Sequence, residues 1–160
     1  MKELKKLMLN KISKEEFLAI NNILEIKIEV GSGLKNAYKN HDAERVDELM
    51  YLIFMYEAFE LEYVDILNKL LVSEWHFQHE NIVLALQKIS SIDSLDYLYK
   101  AIELNLEYLL WDENHAFEIK CVRGIYYIGK EKGIPYLEKL CNHKCTAIKE
   151  MAQRQLKKLL

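Results

Sequence analysis

Apolar residues recur at helical spacing along almost all of the 160-residue chain. Val46, Leu49, Met50, Ile53, Phe54 and Tyr56 follow the i, i+3, i+4, i+7 template of an amphipathic helix. Asp42 is placed to cap it, and Glu44, Asp47 and Glu48 favour its positive N-terminal end. Leu61, Val64, Leu67, Leu70 and Leu71 predict a second helix, and Ile82, Val83, Leu86 and Ile89 a third. Leu95, Leu98, Ala101 and Ile102 mark a fourth, capped by Asp93 or Ser94. Cys121, Val122, Ile125 and Ile128 mark a fifth that Gly129 can end, with Asp112 as the expected cap upstream. Ile134, Leu137 and Leu140 predict a sixth with Pro135 in its first turn, and Thr146 opens a last one bearing Ile148, Ala152, Leu156 and Leu159.

Only residues 24–34 resist this reading. Leu24-Glu-Ile-Lys-Ile-Glu-Val30 alternates with period two, as a strand does, before Gly31-Ser-Gly33. A lone strand has no partner elsewhere in the chain, so the segment reads as the end of an N-terminal helix followed by a Gly-rich corner. Residues 1–41 then form an N-terminal helical segment ahead of the array at 42–160.

The array repeats. At an offset of 39, Ile89, Leu95, Tyr97, Leu98 and Lys100 fall on Ile128, Ile134, Tyr136, Leu137 and Lys139. The same offset brings Ile82, Val83, Ala85 and Leu86 onto Cys121, Val122, Gly124 and Ile125, and an offset of 34 brings Leu61, Tyr63 and Val64 onto Leu95, Tyr97 and Leu98. Units of this length suit an all-α fold, a short α-solenoid of about three HEAT-like helix pairs plus a C-terminal capping helix.

Composition narrows the class further. Five glycines and one proline stand where average usage gives roughly nineteen, which excludes low-complexity chains and makes a turn-rich sandwich a poor fit. Three cysteines are too few and uneven for a disulfide framework. The charged N-terminus lacks the apolar stretch of a secretion signal, and the longest uncharged apolar run, Leu49 to Tyr56, is too short to span a bilayer. The expectation is a soluble cytoplasmic protein with no membrane partner.

A net charge of −3 conceals an uneven distribution. Residues 42–65 and 93–118 are strongly acidic, whereas 119–160 are strongly basic. Lys130, Lys132, Lys139, Lys144, Lys149, Arg154, Lys157 and Lys158 offer a phosphate-binding ridge. Lysines on a terminal repeat more often solubilise it, and the acidic centre repels a duplex, so nucleic acid is disfavoured as a partner.

Candidate chemistry is sparse. Trp75-His76-Phe77-Gln78-His79-Glu80 puts two histidines three residues apart, but its order is not the H-E-x-x-H of zinc proteases, and one His-Glu dyad does not encircle a metal pair. Capping and packing are the favoured roles for these histidines. Cys141, His143 and Cys145 lack the second ligand pair of a structural zinc site. Gly31-Ser-Gly33 matches no phosphate loop, and no serine sits in a nucleophile elbow. The residues imply no cofactor and no catalytic set. Tyr108-Leu-Leu-Trp111-Asp112-Glu113 lies at the equivalent junction one repeat after Trp75, so the two tryptophans should lie near each other along one edge.

Several motifs carry a resemblance. Tyr63-Val-x-x-Leu67-Asn-x-Leu-Leu, Trp75-His-x-x-His79-Glu80-x-Ile82, Asp93-Ser-Leu-x-x-Leu98-Tyr, Asp112-Glu113-x-x-Ala116, Lys120-Cys121 and the Tyr-Ile-Gly129 that follows lie within the stretch 42–160. This stretch resembles the HEAT-repeat immunity proteins of bacterial polymorphic-toxin systems. Phe117-Glu-Ile119 and Arg123-Gly124 depart from the alanine-rich pattern of such repeats. The resemblance implies a non-catalytic partner that binds its cognate toxin and blocks the active site. Against a basic nuclease domain, Glu57, Glu60, Glu62, Asp112 and Glu113 would supply complementary charge, with Trp75 and Trp111 as apolar anchors and His76 beside them. The other readings are a scaffold for a different cellular protein and, more remotely, a metal-dependent HEAT-fold enzyme.

Overall fold

A computed structural model describes residues 1–160, and the chain is helical throughout with no strand. Ten helices follow in order: α1 (Leu4–Met8), α2 (Lys14–Ile20), α3 (Ile23–Asn40), α4 (Ala43–Met55), α5 (Val64–Leu71), α6 (His79–Ile89), α7 (Leu95–Ala101), α8 (Ala116–Gly129), α9 (Ile134–Leu140) and α10 (Thr146–Leu156). From α3 onward, each odd-numbered helix packs on the even-numbered helix that follows it. The even helices α4, α6, α8 and α10 also pack on one another in sequence and form one layer. Helices α3, α5 and α7 form the other, which Tyr99 of α7 and Tyr136 of α9 extend, their rings 5.6 Å apart. No helix is long and apolar enough to cross a membrane.

The expected Gly-rich corner is absent, because α3 runs unbroken through Gly31-Ser-Gly33. Its buried stripe is Ile26, Val30, Leu34 and Ala37, with helical spacing, while Leu24 and Ile28 face outward and are more than half exposed. Apolar residues on both faces of one helix produced the period-two pattern. Asn22 and Glu25 close a capping box at its start. The two glycines let neighbours approach: a Cβ at Gly31 would stand 3.1 Å from the Tyr63 ring, and one at Gly33 would stand 3.0 Å from Leu49. One cluster of buried apolar side chains extends from Leu4 to Ala152, so residues 1–41 and the remainder share a core.

Other caps differ in detail. Asp42 caps α4 by accepting from the Arg45 N–H, as expected. Ser91, rather than Asp93 or Ser94, caps the turn that leads into α7. Thr146 is the first residue of α10, not its cap, and Gly129 ends α8 with the positive-φ residue falling on Lys130. Leu61 lies in a 3-10 turn, 70% exposed, so the 34-residue alignment that placed it on buried Leu95 is out of register. The 39-residue offset holds: Leu95 and Ile134 each open a helix after a 3-10 turn.

Gly133 sits where the turn after α8 folds back, and a Cβ there would lie 2.7 Å from the Ile125 carbonyl oxygen. Backbone does not yield as a side chain does. Gly133→Ala is therefore expected to destabilise the fold by roughly 1–3 kcal/mol, the range for overpacking, whereas Gly124→Ala, which meets only Leu98 methyls and the Gln87 amide, should have a smaller effect. Urea denaturation of the two variants checks the order.

Candidate functional site: an aromatic and acidic edge

The turns within helix pairs all emerge at one end of the layers. His41 after α3, Trp75 after α5, Trp111 before α8 and His143 after α9 mark this edge. The contacts confirm the alignment: the His41 ring stacks on Trp75 at 5.0 Å, Phe77 meets Tyr108 edge-on at 5.2 Å, and His143 reaches Glu103 at 3.2 Å. Trp75 is half-buried against Tyr38, His41 and His76. Trp111, by contrast, is 79% exposed, and Leu110 and Phe77 on the same edge are each 63% exposed. Trp111 is exposed without being loose, since its indole N–H donates to the Tyr108 carbonyl at 2.7 Å. Phe77 and Tyr108 thus join the two tryptophans along the edge.

Two buried histidines hold this edge in place. The C-terminal carbonyls of α5 have no helical partners, and the loop supplies them. His76 Nδ1 accepts from the Gln78 N–H at 3.1 Å, so its Nε2–H donates to the Leu70 carbonyl at 2.8 Å. His79 Nε2–H donates to the Ser73 carbonyl at 2.7 Å, which leaves Nδ1 to accept from the Tyr108 hydroxyl at 2.8 Å. The two rings stack 4.3 Å apart. Burial, then the neighbouring His76, lower the His79 pKa to about 4. Burial also pushes the Tyr108 hydroxyl up to about 12 and holds His76 below its usual range.

His76 is fully buried, which corrects its assignment as a partner contact. A W-H-x-x-H run looks like a polar surface loop, but here the His76 imidazole bonds a last-turn carbonyl of α5 and the His79 imidazole bonds the Ser73 carbonyl in the turn that follows. All four of their ring nitrogens are hydrogen-bonded. Nowhere in the chain do three His, Cys, Asp or Glu side chains converge as a metal site would require. His143 repeats the His76 device by accepting from the Cys145 N–H at 3.1 Å.

The expected acidic residues divide between two places. Glu57 and Glu62 are exposed and Glu60 pairs with Lys27 at 2.5 Å, all at the opposite end of α5 from Trp75. Lys27 and Tyr38, which mark the two ends along α3, are about 16 Å apart at 1.5 Å per residue. These three carboxylates do not join the tryptophan edge. Asp112 does, although both its oxygens are occupied: Oδ1 accepts from the Asn114 N–H at 3.0 Å and Oδ2 from the Ala116 N–H at 2.8 Å. It caps α8 from three residues before His115, the left-handed residue at the cap position. Glu113 remains exposed.

Glu74 and Glu107 were missing from the sequence reading. With Trp75, Phe77 and Tyr108 they line a depression of about 370 Å³. Both are exposed, and neither forms an ion pair. A signal was there: each precedes an aromatic residue of its turn, in Glu74-Trp75 and Glu107-Tyr108.

The basic C-terminal residues are partly spent on tyrosines. Lys130 and Lys158 lie over the Tyr126 ring, and Lys139 lies over Tyr99 and Tyr136.

Comparison of the chain with known protein families, with curated proteins and with solved structures finds no match.

Proposed function

We propose that this chain is a non-catalytic protein-binding module, a short α-solenoid of HEAT-like helix pairs, which neutralises a cognate bacterial toxin in the cytoplasm by covering its active site. The alternating two-layer packing and the 39-residue recurrence of helix starts support the solenoid part of the reading. The resemblance of the Trp75-to-Ile82 and Asp112-to-Ala116 motifs to immunity proteins supports the toxin part.

One observation carries the proposal: the exposed apolar side chains of Phe77, Leu110 and Trp111 stand on neighbouring turns of one edge that also carries the exposed, unpaired carboxylates of Glu74, Glu107 and Glu113. Aromatic anchors fixed in place before binding lose little entropy on association. Surrounding carboxylates favour a basic partner surface and accelerate encounter with it. A nuclease domain that binds phosphates presents such a surface.

Co-expression with the product of the adjacent reading frame tests this. The expected result is restored growth and a stoichiometric complex that survives size exclusion. A neighbouring protein that is neither toxic nor bound would overturn the toxin assignment.

A further inference from the structure

The outer face of the even layer holds a groove of about 650 Å³ between α4 and the N-terminal end of α6. Met8, Met50, Tyr51, Phe54 and Met55 make it apolar. Asp47 also lines it, and this residue breaks the pattern. Its Oδ1 is enclosed and has no hydrogen-bond partner, so Oδ2 is the oxygen this carboxylate presents to the groove. A buried polar atom without a partner is costly, so such atoms in native folds call for an explanation.

Nothing within the chain neutralises this carboxylate. Arg45, on the same helix, is engaged with Glu29 and Glu48. His76 lies within electrostatic reach, but burial keeps its imidazole neutral near pH 7. Beside Asp47, the Asn81 amide donates to Gln78 Oε1 at 2.7 Å, which leaves Asn81 Oδ1 as a second acceptor at the groove.

We propose that the groove receives an arginine side chain from the protein partner, its guanidinium on Asp47 and its stem along Met50, Tyr51 and Phe54. An arginine suits the site better than a lysine. Its planar group stacks on aromatic rings and presents several donors in a fixed fork, matching one carboxylate and one amide oxygen. Methionine walls adapt to the apolar residues on either side of it. Gln78 lines the groove and directly follows Phe77 of the aromatic edge, so one partner can occupy both surfaces. The inference rests on the protein-binding reading and supplies the chemistry of one contact.

The test is a titration of the full chain, carrying 13C-methyl methionine, with the peptide Ac-Leu-Arg-Leu-amide and with its neutral citrulline isostere. Saturable shifts are expected at the methyls of Met8, Met50 and Met55 and not at Met151. The citrulline peptide should bind at least tenfold more weakly. Asp47→Asn should bring the two peptides to equal affinity. Equal affinities in the unaltered chain, shifts that never saturate, or shifts centred on Met151 would overturn the proposal. Groove signals that move with protein concentration alone would also overturn it, by making a second copy the occupant. No toxin enters this titration, so its failure leaves the edge and its toxin reading intact, and failure of the toxin complex leaves the peptide result standing.

Discussion

Trp111→Ala is expected to weaken the proposed toxin complex by about 30-fold or more, the ~2 kcal/mol that defines a hot-spot residue, while leaving the stability of the free protein nearly unchanged. The reason is the combination of 79% exposure with a hydrogen bond that fixes the ring. An exposed side chain contributes little to the fold, whereas a prepositioned indole contributes its full apolar area to a partner. Glu57→Gln, Glu60→Gln and Glu62→Gln together should change the affinity less than about threefold, as expected of charges outside the contact patch, because these residues sit at the other end of α5. Titration calorimetry of the two proteins separates the outcomes. Equal losses would mean that the partner covers both ends of the helix pair.

The second large effect is on stability as a function of pH. His79 has a folded pKa of about 4, against an ordinary value of 6.5, so the unfolded chain takes up a proton that the folded chain refuses. The stabilisation is fully present above pH 6.5 and is lost as pH falls from 6.5 towards 4. Across that window it amounts to roughly 3 kcal/mol at 1.36 kcal/mol per unit. His76, lowered in the same direction, adds to it. Urea denaturation at pH 7 and at pH 4.5 should show the loss, and His79→Gln should flatten the slope at the expense of stability near neutrality. A pH-independent midpoint in the unaltered protein would contradict the buried-neutral assignment of both histidines.

Where side-chain spacing alone decides the outcome, the sequence is a sufficient guide. In the helices from α4 to α10 the middle of each apolar stripe is buried, while Phe54, Tyr56, Ile89, Ile134, Leu156 and Leu159 are only partly buried, and Tyr56, Leu61, Ile102 and Leu159 lie outside their helices. Segment 24–34 fails for a physical reason. Leu24 and Ile28 are exposed apolar residues on the back of α3, and they fill the gaps that a helical period would otherwise leave. Gly31 and Gly33 look like a corner because their function, the approach of Tyr63 and Leu49, involves residues distant in sequence.

The placement of the tryptophans was legible in the sequence, but their surroundings were not. Trp75 and Trp111 do lie on one edge, because equivalent turns of stacked helix pairs emerge at the same end. His76 was misplaced because a histidine that satisfies helix-end carbonyls has the same local sequence as one that faces a partner. Glu60 was misplaced because the Lys27 that pairs with it lies 33 residues upstream, across the boundary drawn at residue 41. Asp47 had no distinguishing mark at all in the sequence. As an acid in the first turns of a helix it looks like a dipole partner, and the burial of its Oδ1 shows only in the folded chain.

Amide hydrogen exchange on the complex with the proposed toxin partner tests the central claim most directly, since it locates the contact surface without prior choice of residues. The account predicts slowed exchange in the turns at 73–78 and 106–114, with residues 56–62 and the basic C-terminal helix unaffected. Protection confined to 56–62 or to α10, with the Trp111 turn exchanging as in the free protein, would contradict it.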